Sequence, residues 1–579
     1  MVRGETFEVK EPSLSQTGAP ETFSENSTTT SFAIRMGWAL LIVATLYICY
    51  FSHLGAIGFV GPDEPRYAWI ARAMVESGDW VTPRLYGQPW FEKPVLYYWE
   101  AAVSFKLFGV SEAAARLPSA ISALLATLAL AWLALRAYGA ETARWLLLLL
   151  PTTVGMIGFS HAAATDMPFS SMLTVAMVCA AAALGPVRNE RSPVLPRTPW
   201  LALILFGFFL GLAVLAKGLA GVILCGGAVF FWALFTKRWR DALRLLHPVA
   251  IGIFCLTALP WYILCARRNP TFLHVFIVEH NFKRFLTPEF QHIQPFWYYI
   301  PIFLLATVPW IVPLAAWIRD VAKPWHANPL RTNPTSLYLV VWSLFTVLFF
   351  SASKSKLPGY ILPAVPPFLL LLSTSIANRL APQARKVRWV GIVCGVTLLC
   401  LAAAFVFWGG RLPFAVDYFP PDPLPFVLIG LGLAGIVVII FGALRRTSLA
   451  LASTVLALIV CIGWSLTGNA RQSLDQAITA GFTGQEPANV KAHFGREAIF
   501  TYKLKRSFQY SLNFTFHEQL PEWKPGTQSY GWILTSPTRI PELSATTGVF
   551  CPAPIAYSAV IACKSVDLVP RSAGSGKLQ

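Results

Sequence analysis

The sequence predicts an all-α polytopic membrane domain followed by a small C-terminal α/β domain. Three observations predict it. Of 579 residues, 55% are hydrophobic and 13% charged, against roughly 25% charged in a soluble protein, and the mean hydropathy is +0.56. Apolar runs of about 18–22 residues recur along the chain, each long enough to cross a hydrocarbon core. Near the C-terminus, short β-branched and aromatic runs in a polar region read as strands. The net charge of +18 would admit nucleic acid as a partner, but much of the basic charge sits in short loops between apolar runs. That is the positive-inside pattern of a membrane protein and argues against nucleic acid.

Residues 1–32 are polar, rich in Ser, Thr and Glu, and are expected to form a disordered cytoplasmic tail. The membrane domain covers 33–467. Its expected spans are 36–54, 117–135, 145–161, 167–185, 200–216, 218–236, 247–265, 297–317, 336–353, 358–378, 387–407, 425–444 and 448–467, about thirteen helices. With the N-terminus in the cytoplasm, the inside loops hold Arg136 and Arg144, then Arg188, Arg191 and Arg197, then Lys237, Arg238, Arg240 and Arg244, and the later inside loops are basic too. An odd number of spans places residues 468–565 outside. There Ala498–Tyr502, Tyr530–Thr535 and Ala556–Ala562 read as strands, and Asn489–His493 suits a helix. Eight cysteines, Cys49 to Cys461, lie in or at the edges of apolar runs and read as small buried hydrophobes. Cys551 and Cys563 lie in the outer polar region, where a disulfide can form. Residues 566–579, with Leu568-Val-Pro-Arg-Ser572 and AGSGKLQ, look like a protease site and linker left from expression.

Two outer loops are long, 55–116 and 266–296, and long loops in a compact protein are usually functional. In the first, Asp63 is a good helix N-cap and Pro65 suits a first turn. Tyr67, Ile70, Ala71, Met74 and Val75 then share one face, as in a helix lying on the membrane surface. A second helix is expected from Pro94, with Glu92 and Lys93 at its N-terminus, where an anion is favoured. The plainer reading makes Asp63 a cap and Glu92–Lys93 solvated charges. The second loop places Glu279, His280, Lys283 and Arg284 on about two helical turns, and His280 could ligate a metal with Glu92, or be structural. Asp166 opens a membrane helix at its outer end, as a cap or as a second acid. Lys354 and Lys356 break the positive-inside pattern and call for an anion, with Lys217 adding to the same patch. No P-loop or Rossmann fingerprint appears. An outward-facing enzyme has no nucleotide donor within reach, and a lipid-phosphate-linked donor fits the cationic patch.

The motifs GPDEPRYAWIARAM, WFEKPVLYYW, TDMP, EHNFKRF and KSKLPGYILPAVPP resemble the GT-C glycosyltransferases. Within that superfamily they resemble the bacterial 4-amino-4-deoxy-L-arabinose:lipid A transferases, over residues 33–565. The resemblance implies a GT-C fold of about thirteen helices with juxtamembrane helices and a periplasmic domain, in the bacterial inner membrane. It implies an undecaprenyl-phosphate-linked aminoarabinose donor, a lipid A phosphate as acceptor, polymyxin resistance and a monomer among membrane lipids. By the same resemblance Asp63 is the leading catalytic carboxylate and Asp166 a second. Arg66, Lys93, Lys354, Lys356 and Arg284 would hold phosphates, Tyr360 would lie near the donor, and Glu92 and His280 would ligate a divalent metal, zinc or magnesium. A phosphate acceptor is already ionised, so Asp63 has no evident proton to remove as a general base. The alternatives are a polyprenyl-phosphate-sugar transferase acting on protein or another glycan, and a lipid transporter, for which no internal repeat is apparent.

Overall fold

The structure is a computed structural model describing residues 25–565 except 57, 186–198, 284–292, 311–313, 315–316, 320, 323–333, 381–387, 409–423, 470–496, 525–529, 547 and 552–559. Arg188, Arg191, Arg197, Arg284, Arg331, Arg385, Lys386, the 489–493 helix and the 566–579 tail therefore lie outside the described residues.

Among the described residues, seven helices are long and apolar enough to cross a membrane. One bent pair makes an eighth, and five shorter apolar helices accompany them, one segment for each of the thirteen expected spans. The first helix, α1 (Glu25–Tyr50), starts inside the stretch expected to be tail. The juxtamembrane helices α2 (Asp63–Ser77) and α3 (Leu96–Phe108) flank a hairpin of β1 (Arg84–Leu85) and β2 (Gln88–Pro89). Tyr86 and Gly87 turn that hairpin with φ of 51° and 81°, the two-positive-φ geometry that matches strand twist.

Next come α4 (Glu112–Ala137), α5 (Ala140–Leu149), α6 (Val154–Ser160), α7 (Asp166–Leu184) and α8 (Trp200–Lys217). The expected 145–161 span is the broken pair α5–α6, bent by 62°. Pro151 lies in the break, where a missing N–H ends the hydrogen-bond ladder. Together with the stretch Pro358–Leu380, α7 is the most enclosed of the long apolar helices, with 94% of its apolar stretch buried. Its sequence is apolar on every side and rich in Ala and Ser, which let neighbouring backbones approach.

The remaining helices are α9 (Ala220–Thr236), α10 (Trp239–Ala242), α11 (Pro248–Arg268), a π-helical segment His274–Lys283, α12 (Tyr299–Thr307), α13 (Pro334–Ala352), α14 (Val365–Leu380), α15 (Arg388–Trp408), α16 (Leu424–Ala443) and α17 (Thr447–Asn469). Where α15 meets α16, a Cβ on Gly395 would stand 2.6 Å from the Gly435 carbonyl oxygen. Glycine there is a condition of the close crossing.

The C-terminal domain carries β3 (Ile499–Tyr502), α18 (Arg506–Phe516), β4 (Gly531–Thr535), α19 (Ile540–Ser544), β5 (Val549–Phe550) and β6 (Ile561–Ser565). The sheet order is β3-β4-β6-β5, with β3 and β4 parallel and the other pairs antiparallel. Two of the three expected strands are in place. The third, Ala556–Ala562, lies mostly outside the described residues; a strand runs Ile561–Ser565, with Cys563 opposite Ile533. Cys551 and Cys563 form a disulfide.

α18 lies against α2. Asn513 Nδ2 donates to the Tyr86 hydroxyl at 2.9 Å, Arg72 Nη1 donates to the Phe514 carbonyl at 3.3 Å, and His517 Nε2 meets Glu76 Oε2 at 2.9 Å. Phe514 also packs edge-on against Phe59. The C-terminal domain therefore sits at the same end of the bundle as the first long loop.

Candidate active site

The site begins where α2 begins. The N-cap of α2 is Pro62, and no side chain caps the helix. Asp63 is thus its first residue and not its cap, contrary to the sequence expectation. Its carboxylate goes elsewhere: Arg66, one turn on, reaches Asp63 Oδ1 at 2.5 Å and Glu92 Oε2 at 3.0 Å. The Arg66 guanidinium also lies over the Trp90 ring at 5.2 Å and the Tyr67 ring at 5.4 Å. Lys93 Nζ stands 3.6 Å from Glu92 Oε1. One helix start and one loop therefore converge on alternating charges: Asp63, Arg66, Glu92, Lys93.

Half of the Asp63 side-chain surface, 51%, is open to solvent, yet the protein around the carboxylate partly desolvates it. That desolvation raises its pKa above the usual aspartate value, Arg66 and Lys93 oppose the rise, and Glu92 and Asp166 add to it. The charge of Asp166 is thus close enough to be felt at Asp63.

Asp166 is the first residue of α7, after the N-cap Thr165, which makes no side-chain cap bond. Its Oδ1 takes a hydrogen bond from Lys217 Nζ at 2.5 Å. Lys217 ends α8 and also lies 4.4 Å over the Tyr360 ring. Gly359 closes the arrangement, since a Cβ there would stand 2.5 Å from Asp166 Oδ1. The two acids therefore stand together at one end of the bundle, each held by a cation.

The KSK turn divides. Lys354 is exposed. Lys356 is buried, and its ammonium donates to the backbone carbonyls of Ser353 and Gln294. Burial and the neighbouring Lys354 charge lower its pKa. His280 belongs to the π-helical segment and its side chain lies outside the described residues, as does all of Arg284. Among the described residues, no three His, Cys, Asp or Glu side chains form a metal-ligating group. Glu92 has a cation on each oxygen, so a metal there would compete with Arg66 and Lys93.

Sequence reasoning missed the group that holds the two acids in register. Glu64, paired with Asp63 in the motif, points inward. Its carboxylate accepts from Val60 N at 2.6 Å, Ala163 N at 2.6 Å, Arg116 Nε at 3.1 Å and Arg116 Nη2 at 2.7 Å. Arg116 also donates to the carbonyls of Leu54 and Gly58. One buried ion pair thus ties the start of α2 to α4 and to the segment leading into Asp166. The available signal was an arginine in the second turn of an apolar helix, which is costly unless paired.

A family model, dolichyl-phosphate-mannose-protein mannosyltransferase, matches residues 35–276. The chain is 31% identical over 408 residues to the undecaprenyl phosphate-α-4-amino-4-deoxy-L-arabinose arabinosyl transferase of Serratia proteamaculans, covering 69% of this chain and 70% of that one. It is 31% identical over 396 residues to the protein of the same description from Yersinia enterocolitica, covering 67% and 68%. With the Aeromonas salmonicida protein of that description it shares 32% identity over 373 residues, but spans 65% of that relative's length. In fold it is similar to the crystal structure of ArnT from Cupriavidus metallidurans bound to undecaprenyl phosphate, with a TM-score of 0.73 and 23% identity over 92% of this chain and 98% of that chain.

Proposed function

The chain belongs to the undecaprenyl phosphate-α-4-amino-4-deoxy-L-arabinose arabinosyl transferases, and from that membership we propose that it transfers 4-amino-4-deoxy-L-arabinose from undecaprenyl phosphate to a lipid A phosphate. The observation that carries the reading is the paired arrangement of Asp63–Arg66 and Asp166–Lys217 at one end of the bundle.

In the proposed reaction, a lipid A phosphate oxygen forms a bond to the anomeric carbon. The bond from that carbon to the donor phosphate oxygen breaks, and the electron pair leaves with undecaprenyl phosphate. Charge grows on the leaving phosphate, so cations placed there lower the barrier. Lys93, largely covered beside Glu92, is suited to this, and Lys354 is open to a second phosphate. Arg66 is shared by two carboxylates and serves first to orient Asp63. Lys356 is committed to backbone carbonyls, and its part is to shape the turn that carries Tyr360. Asp63 has no proton to take from an ionised phosphate. Its role is to hold the donor's ammonium group or to stabilise positive charge on the sugar ring.

The proposal includes the bacterial inner membrane, an N-terminus in the cytoplasm and the C-terminal domain in the periplasm. The Cys551–Cys563 disulfide supports the last point, because disulfides persist in oxidising compartments. It also includes a monomer and polymyxin resistance as the cellular outcome. We propose separately that Glu92 and His280 hold a divalent metal, zinc or magnesium. A chelator that leaves transfer intact would remove it.

The test is transfer in vitro from purified undecaprenyl phosphate aminoarabinose to lipid A, read by mass spectrometry. The intact chain should add the aminoarabinose mass, and Asp63→Asn should abolish it while remaining folded. Transfer by Asp63→Asn at the wild-type rate would overturn the catalytic assignment. Transfer to a protein or glycan but not to lipid A would favour the alternative acceptor.

A further inference from the structure

Far from the two acids, the bundle holds a cavity of about 600 Å³ between α4, α7 and α8. That volume lies within the roughly 300–1,000 Å³ usual for small-ligand sites. Its walls are apolar, with Ala129 and Trp132 from α4, Val178 and Cys179 from α7, and Ala202 and Leu205 from α8. Cys179 lies about 20 Å along α7 from Asp166, at 1.5 Å per residue. The cavity therefore opens toward the opposite end of the bundle from the active site.

One charged side chain, Arg244, stands at the cavity. It is half exposed and lies 3.1 Å from Asp241, which also takes Arg238 at 2.6 Å. One carboxylate cannot neutralise two guanidinium groups, and Lys237 and Arg240 add charge on the same short segment. A second arginine approaches from α4: the Arg136 guanidinium lies 5.9 Å over the ring of Trp132, a wall residue. Its Nε is shut off from solvent with no hydrogen-bond partner among the described residues. Beside these cations, Trp239, Leu243 and Leu246 are exposed by 40%, 60% and 62%. Apolar side chains interleaved with Lys and Arg mark a segment lying at an anionic lipid surface.

We propose that this cavity binds an anionic glycerophospholipid, with one acyl chain between α4, α7 and α8 and the phosphate at Arg244. The apolar walls take the chain, and the excess of guanidinium over carboxylate selects the charged headgroup. The site is independent of the transfer reaction, because the donor phosphate belongs at the other end of the bundle.

The experiment is native mass spectrometry of the full chain in detergent, exposed separately to dioleoylphosphatidylglycerol, dioleoylphosphatidylcholine and undecaprenyl phosphate. Phosphatidylglycerol should be retained about fivefold more tightly than phosphatidylcholine, the worth of one basic residue beside an anionic lipid. Arg244→Gln, at an exposed position, should remove that preference. Ala202→Phe, which fills the cavity, should abolish retention of the tightly held lipid, with size-exclusion elution confirming that it is folded. Equal retention of the two glycerophospholipids by the wild-type chain would overturn the proposal. So would retention unchanged in both variants, or displacement of phosphatidylglycerol by undecaprenyl phosphate at equal concentration.

Discussion

Replacing Glu64 with Ala should destabilise the protein more than any change to the acids beside it. The magnitude follows from what Glu64 holds. Arg116, 4% exposed at its side chain, would keep its charge and lose its counter-ion. Breaking one side of a buried pair in this way costs about 3–5 kcal/mol. The N–H groups of Val60 and Ala163 would each lose an acceptor, at about 1–3 kcal/mol apiece. Relaxation recovers part of this, leaving a loss of about 5 kcal/mol or more. At about 1–2 °C per kcal/mol for a chain of this size, extrapolating the trend for smaller domains, the unfolding midpoint should fall by about 5–10 °C. The assay is the folded fraction surviving a graded heat challenge in detergent, scored by size exclusion, because unfolding of a protein this large is read as a rate. Adding Arg116→Met to Glu64→Ala should recover stability, since the stranded charge is gone. A midpoint within about 1 °C of wild type, or a double variant weaker than Glu64→Ala alone, would refute the reasoning.

Other expectations are narrower. Gly359→Ala should cut transfer severely with little change in expression, because its Cβ would stand 2.5 Å from Asp166 Oδ1 and push that carboxylate off Lys217; full activity would contradict the packing. If ionised Asp63 is needed, activity should rise with pH through a limb above the ordinary aspartate range, and Lys93→Gln should move that limb to higher pH by removing a cation that holds the pKa down. A pH–rate series on both proteins decides this, and an unmoved limb rejects the pairing. Burial pushes the Glu100 carboxyl up to about 8, and its Oε2 has no hydrogen-bond partner among the described residues. The folded state then holds a proton that the unfolded chain releases above its usual value near 4.5, so stability should fall as pH rises from about 5 to 8. Glu100→Gln, a mimic of the protonated form, should flatten that fall in heat challenges across the same range.

The spans were legible in the sequence because each must be long and apolar, a constraint written locally. The surface helix from Asp63 was legible for the same reason: Tyr67, Ile70, Ala71 and Met74 repeat at helical spacing and are buried. The residue types of the site were legible too. Their pairings were not. Lys217 reads as a spare cation in a turn, yet its partner Asp166 lies 51 positions earlier. Glu64 and Arg116 are 52 apart, and nothing local distinguishes Glu64, which turns inward, from Asp63, which stays half exposed. Asp63 looked like a cap because capping is a local preference; its carboxylate instead pairs with Arg66, which Glu92 from a separate loop also holds. Lys356 looked like a phosphate ligand because its carbonyl partners belong to the fold and not to the motif.

The clasp between Tyr86 and Asn513 has a consequence for how the protein comes into being. Tyr86 sits in the turn of the first outer loop, and its partner is separated from it by 427 positions. The Glu76–His517 contact spans 441 positions and the Arg72–Phe514 contact 442. The ribosome releases the helix bearing Asp63 among the first segments and the residues that cover its outer face among the last. Until those last residues fold, Arg72 and Glu76 on the helix and Tyr86 in the turn beyond it lack these partners.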